Sequence, residues 1–229
     1  MRFAWHGTTQ ALLEIEALRV TPGERMFLRG PSGSGKSTLL SLLAGVLTPS
    51  AGEILLLGHD LAMLSGAQRD RIRADHVGFI FQMFNLIPYL SVMENVMLPC
   101  GFSERRRVRA RERGGTVEAE ARRLLGALDM ADAGLLARPV TQLSVGQQQR
   151  VAAARALIGA PELVIADEPT SSLDADRRNA FVDLLFRECR ASGSALVFVS
   201  HDPGLAPLFD RMVELTTINQ APETQMPMG

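Results

Sequence analysis

Several things are scarce in this chain of 229 residues: it holds two cysteines, one tryptophan and one tyrosine, and its 24 basic and 25 acidic residues nearly cancel. Cys100 and Cys189 lie far apart with no C-x-x-C spacing, which argues against a disulfide scaffold and fits a reducing compartment in which both are buried thiols. A net charge of −1 supplies no global field for nucleic acid, so any partner has to be argued from local sites. The N-terminal stretch MRFAWHGTTQALLEIEALRV has no apolar segment of signal-peptide length, so export is not expected. The longest apolar-looking run, LLSLLAGVL at 39–47, falls far short of the roughly 20 residues of a membrane span, and a membrane role would need a separate partner. Internal repeats and low-complexity tracts are missing too. What is present is a hydrophobic content of 46%, enough for a sizeable core in one large domain or a domain with a subdomain.

The order of patterns predicts an α/β fold. FAW, LLEIEALRV and RMFLR read as strands and form a β-rich beginning; KSTLLSLLAGVL then reads as a helix, EILLLG as a strand and VGFIF at 77–81 as a short buried strand. From about 88 to 160 strand signals vanish, VEAEARRLLGALDM and QQQRVAAARALIGA have helical periodicity, and an inserted helical subdomain is expected. LVIAD at 163–167 and ALVFVS at 195–200, with the helix FVDLLFRECRAS between them, restore the alternation that marks a parallel sheet whose ligands bind beyond the strand carboxyl ends. The expected organisation is one domain: a nucleotide-binding core with an antiparallel β subdomain over 1–87 and 161–215, a helical subdomain over 88–160, and a frayed tail from 216 to 229.

The chemistry begins at GPSGSGKST, residues 30–38, which fits the P-loop (Walker A) spacing between an apolar strand and a helix. Gly30, Ser32, Gly33, Ser34 and Gly35 form a loop whose backbone N–H groups turn inward around phosphate oxygens. Lys36 reaches the outer phosphates, Ser37 is placed to ligate Mg2+, and Thr38 beside it is expected to contact the nucleotide as well. A metal held by Ser37 needs a carboxylate at the end of a neighbouring buried strand, and LVIADEP supplies Asp167 for it, with Glu168 one residue on to take a proton from an attacking water.

Taken with Gln82 in FQMFN, LSVGQ at 143–147, SSLD at 171–174 and His201 in SHD, these motifs resemble, in order and spacing, the ATP-binding cassette ATPases over residues 3 to 215. The resemblance implies ATP and Mg2+ as ligands and a head-to-tail homodimer, with each ATP held between the P-loop of one copy and LSVGQ of the other. Ser144, Gly146 and Gln147 would then meet ATP across the interface, Gln82 would sense Mg2+ and the lytic water, His201 would contact the γ-phosphate beside Glu168, and Asp174 would couple the two sites. Trp5 would stack on adenine, with Phe3 as the fallback. The third signature position, usually Gly, is Val145 here. A β-branched residue at positive φ would be costly, so an ordinary backbone conformation is expected there, with Gly146 as the essential glycine.

The segment HVGFIFQMFNLIPYLSVMENVMLP is similar to the lipoprotein-releasing and macrolide-exporter branch of bacterial members. That implies an integral-membrane permease subunit as partner, a periplasmic adaptor as a further one, no nucleic acid, and a peripheral place on the cytoplasmic side of the inner membrane. Phe84, Leu86, Ile87, Pro88, Val92 and Val96 are expected near a groove for a permease helix. The six arginines between 105 and 113 are expected on a solvated, partly flexible helix or loop. Two rivals remain: an ATPase that drives cell-wall hydrolases through a membrane partner, and a soluble cassette protein of DNA repair or translation.

Overall fold

The computed structural model describes residues 1–171 and 173–221. Its centre is a five-stranded parallel sheet made of β3 (Arg25–Arg29), β6 (Val77–Ile80), β7 (Leu163–Asp167), β8 (Ala195–Val199) and β9 (Arg211–Glu214), in the order β6-β7-β8-β3-β9. Side chains along these strands alternate between two apolar layers, as a period of two requires. Met26, Leu28, Leu163, Ile165, Val197 and Val199 enter one layer, while Phe27, Val164, Ala166, Leu196 and Phe198 enter the other. Because both faces are covered, the strands read as unbroken apolar runs in the sequence.

The first layer is closed by α1 (Lys36–Leu43) and by a β-rich edge built from β1 (Arg2–Phe3) with β2 (Leu13–Glu14) and β4 (Leu55–Leu56) with β5 (His59–Asp60), both pairs antiparallel. The expected strands FAW, LLEIEALRV and EILLLG therefore shrink to two-residue pairs. α2 (Gly66–His76) follows and buries none of its residues; it is held at its start by reciprocal capping between Ser65 and Gln68.

On the opposite layer pack α3 (Val92–Phe102), α4 (Glu104–Gly114), α5 (Val117–Ala127), α6 (Ala133–Leu136), α7 (Val145–Leu157) and α8 (Ala175–Ser192), whose apolar faces share one core with the sheet. The chain ends its described part in α9 (Leu215–Ile218). The tail expected from 216 is in fact tied down through Ala221: the Asn219 side chain accepts from Glu14 N and donates to Leu12 O, and Gln220 N donates to Glu14 O.

One further expectation changes. Arg106 is 2% exposed rather than solvated. It donates to the carbonyls of Val77 (2.7 Å), Ala156 and Ile158 (3.4 Å each), and burial brings its guanidinium down to about 10. Around it, Glu162 accepts from Arg105 (2.6 Å), lies 2.8 Å from Arg109 and is 2.8 Å from the His76 imidazole, so the arginine-rich helix is clasped to the sheet. Cys100 and Cys189 are buried thiols, pushed up to about 11 and about 12 by desolvation.

Candidate functional site

Parallel pairing brings three chain segments to one edge of the sheet. Leu28, Val199 and Asp167 stand in one register row, so the loop after β3, the end of β7 and the turn after β8 emerge side by side. The loop turns into α1 through Gly35, which takes φ +95° as the residue before the helix, and Gly33 has φ +79°. Such a left-handed sequence is open to glycine at little cost and points backbone N–H groups toward one concavity.

Lys36 is buried, and its ammonium donates to Gly30 O (2.7 Å) and Pro31 O (2.8 Å) across the loop. Burial lowers its basicity, while Glu168, Asp167 and Glu214 work against that. It is also the chain's single lysine, the other 23 basic residues being arginines. Ser34 N donates to Pro31 O (3.3 Å), but Ser34 Oγ is buried with no hydrogen-bond partner; Ser32 is exposed and Thr38 half-buried.

Ser37 Oγ donates to Asp167 Oδ2 at 3.1 Å. Burial raises the Asp167 carboxyl against the opposing pull of Ser37, Lys36 and His201. A hydroxyl and a carboxylate meeting at the foot of a phosphate loop form the oxygen donor set that Mg2+ prefers, and a divalent cation there would reverse the cost of burying that charge.

Glu168 is held at φ +48°, an uncommon region for a residue with a Cβ, by its N–H donating to Val199 O at 3.1 Å. The conformation aims its buried carboxyl at the turn after β8. There Oε2 accepts from His201 N (3.4 Å), and His201 Nε2 lies 3.2 Å from Oε1 without the alignment of a hydrogen bond. Burial raises this carboxyl too, with His201 and Lys36 opposing the rise and Asp167 adding to it. Such a carboxylate is a stronger proton acceptor than an exposed one.

The remaining predicted residues lie elsewhere. Among the described residues no hydrogen bond or ion pair joins Ser144, Gly146 or Gln147 to the phosphate loop. Ser144 caps α7, its Oγ accepting from Gln147 N (3.3 Å) while Gln147 Oε1 accepts from Ser144 N (2.9 Å). Val145 is the first residue of α7, half exposed, and Gly146 the second; neither has positive φ. Among the described residues, a Cβ on Gly146 would come no nearer than 3.9 Å to a group outside its own turn, the Leu173 methyl, so none of them requires a glycine there. Asp174 caps α8 by accepting from Arg177 N at 2.9 Å.

Gln82 is exposed beyond β6. Trp5 is half exposed and stands edge-on to Phe3, ring centroids 5.1 Å apart; Phe3 is buried, which removes it as a stacking alternative. Phe84, Val92 and Val96 are core residues, so the expected groove is not built from these three, while Leu86 packs against them and is only partly buried. Of the other expected groove residues Ile87 is half-buried and Pro88 exposed, and the most exposed large apolar side chains over 81–102 are Met83, Tyr89 and Phe102, each about four-fifths exposed, with Phe81 at 38%. Sequence reasoning missed Gln149, which lies on the buried side of α7. Its signal was the helical spacing of Gln149, Ala153 and Ala156, which places a polar residue on the apolar face.

A glycine-turned loop after a central strand, a lysine inside it, and a hydroxyl–carboxylate pair on the adjacent strand end define a phosphate-loop nucleotide hydrolase. The particular family follows from comparison: the model described as ABC transporter matches residues 13–171, and the chain belongs to that family, whose members hydrolyse ATP. It is 41% identical over 208 residues to the lipoprotein-releasing system ATP-binding protein LolD of Shewanella sp. (strain MR-7), covering 91% of this chain and 86% of that one. It is 38% identical over 205 residues to the macrolide export ATP-binding/permease protein MacB of Chromobacterium violaceum, covering 90% of this chain but 30% of that protein. Among solved structures, the dimeric post-hydrolysis state of the ATP-binding cassette MJ0796 bound to ADP and Pi superposes with a TM-score of 0.76 at 34% identity, over 93% of this chain and 90% of that one.

Proposed function

We propose that the chain is the motor subunit of a bacterial ABC transporter, working as a homodimer that powers a separate membrane permease in lipoprotein, lipid or drug-type export or extraction. The observation that carries the reading is the division of the predicted site. Lys36, Ser37, Asp167, Glu168 and His201 converge at the sheet edge, whereas Ser144 and Gly146 begin a helix whose glycine is required by none of the described residues of its own subunit. A second copy placed head to tail would bring the two halves onto one ATP.

In such a dimer the phosphates lie in the loop from Gly30 to Thr38, with Lys36 turning from the carbonyls of Gly30 and Pro31 toward the oxygens. Adenine stacks on the free face of Trp5. The start of α7 offers the amides of its first turn and its positive dipole end to the γ-phosphate of the other copy. Ser37, Asp167 and Gln82 would hold Mg2+, which neutralises charge building up on the phosphate oxygens. Glu168 takes a proton from the water that attacks the γ-phosphorus, leaving ADP and inorganic phosphate, while His201 fixes the carboxylate from the adjacent turn. Asp174, which caps the start of α8, would pass the state of one site to the other.

Permease docking is assigned to the surface around Gln82, Met83 and Tyr89. Among the described residues no helix is long and apolar enough to cross a membrane, so attachment at the cytoplasmic side of the inner membrane would run through that contact. The relatives' names give a periplasmic adaptor no support. The LolD and MacB likenesses favour transport over cell-wall regulation or DNA repair.

The test is Glu168→Gln. Retained ATP binding with loss of hydrolysis, and a dimer stable in ATP by size-exclusion chromatography with light scattering, is the expected result. Turnover at the wild-type rate would remove Glu168 from its role.

A further inference from the structure

Gln149 is 1% exposed, and neither its amide nitrogen nor its carbonyl oxygen has a hydrogen-bond partner. A buried polar group left unpaired costs about 1–3 kcal/mol, so an amide unsatisfied at both ends calls for something that fills the adjoining space. That space is a cavity of about 270 Å3 between the beginnings of α7 and α8, bordered by Ser144, Gly146, Gln149, Arg150, Leu173 and Arg177.

The polar lining is rich in donors. Arg150 donates to Asp129 O at 3.4 Å and has its carboxylate at 3.8 Å, and Arg177 is widely exposed, with Asp174 at 3.4 Å as its one carboxylate among the described residues. The backbone amides of Val145 and Gly146, the first two of a 13-residue helix, have no acceptor among the described residues, and the helix dipole adds positive potential at the same end. An amide donor, two guanidinium groups and free helix-start amides match the oxygens of a tetrahedral oxyanion.

We propose that this cavity receives the inorganic phosphate cut from ATP in the opposite copy, with Gln149, Arg150 and Arg177 as its ligands. The proposal rests on the reading that ATP is held across two copies. It goes beyond that reading by giving the product a second resting place, beneath the helix start that held it as γ-phosphate. Phosphate retained there keeps the two copies together after hydrolysis, and its departure then limits reopening.

The test uses the full chain, with Gln149→Leu and, since a buried change can disturb folding, the exposed Arg177→Gln as an independent second variant. Steady-state ATPase is measured against added inorganic phosphate, and single-turnover phosphate release is followed with a fluorescent phosphate sensor. Wild type should be inhibited by phosphate in a manner not purely competitive with ATP. Either variant should raise the inhibition constant at least fivefold and speed release. Phosphate inhibition that is absent, or strictly competitive with ATP and equal in the folded variants, would overturn the proposal. A wild-type chain with no ATPase activity at all would instead overturn the two-copy reading beneath it.

Discussion

Removing the charge of Glu162 tests whether the arginine-rich helix is a structural clasp. Burial alone would raise this carboxyl, but the hydrogen bonds from Arg105 and His76 and the nearby Arg109 overcome that and hold it at about 2, against an ordinary 4.5. A carboxylate depressed by that much contributes about 3 kcal/mol at neutral pH. Its side chain is 24% exposed and Arg105 is 41% exposed, so part of the attraction is screened and about 2 kcal/mol is the working figure. The sign follows from the direction: a depressed folded value gives stability that is full above the unfolded value of 4.5 and is lost as pH falls toward 2. Glu162→Gln should therefore lower unfolding free energy in urea by about 2 kcal/mol at pH 7, by nearly as much at pH 5, and by about half as much near pH 3. A deficit that stays constant over this range, or none at pH 7, would refute the electrostatic account.

Other changes probe other links. Replacing Arg106 by Met deletes its buried bonds to the carbonyls of Val77, Ala156 and Ile158, so a loss of about 2–4 kcal/mol is expected in the same urea titration. Gly146→Ala meets nothing nearer than 3.9 Å and adds a better helix former; the unfolding midpoint of the isolated chain should hold or rise slightly, while ATPase activity falls at least tenfold. Because Lys36 is the only lysine, amine acylation has two targets, its ammonium and the chain's α-amino group. Intact-mass analysis should show ATP protecting one of the two.

How much of this was legible depended on where each residue's partners lie. LVIAD and ALVFV announced themselves because both faces of their strands are covered, and the phosphate loop because its glycines and lysine have fixed spacing. α2 was invisible since it buries nothing and so carries no apolar period. Pro99 disguised α3, where it sits inside the helix. Arg106 looked solvated because charge normally is; its partners are carbonyls of β6 and of the α7 C-terminal end, about 30 to 50 positions away in the chain, which no local pattern encodes. The groove residues failed for a similar reason, since apolar spacing marks a buried face without saying what covers it, and Val92 and Val96 are covered by their own subunit. The division of the site had a different origin: the residues themselves were readable, but only their separation in the folded chain shows that they lie on two surfaces.

That separation gives the clasp a mechanical sense. α7 is a rod of 13 residues, about 20 Å long, with its free start at the proposed trans site. Its far end is held by Arg106 through the carbonyls of Ala156 and Ile158, while Arg109 donates to Ala160 O at 2.6 Å and reaches Glu162 with its other nitrogen. Glu162 directly precedes β7, whose opposite end carries Asp167 and Glu168. The helix proposed to meet a neighbour's nucleotide and the strand that presents the subunit's own carboxylates are thus joined at one ionic clasp. The residues that clasp the fold there therefore also tie together the elements that carry the two halves of the proposed site.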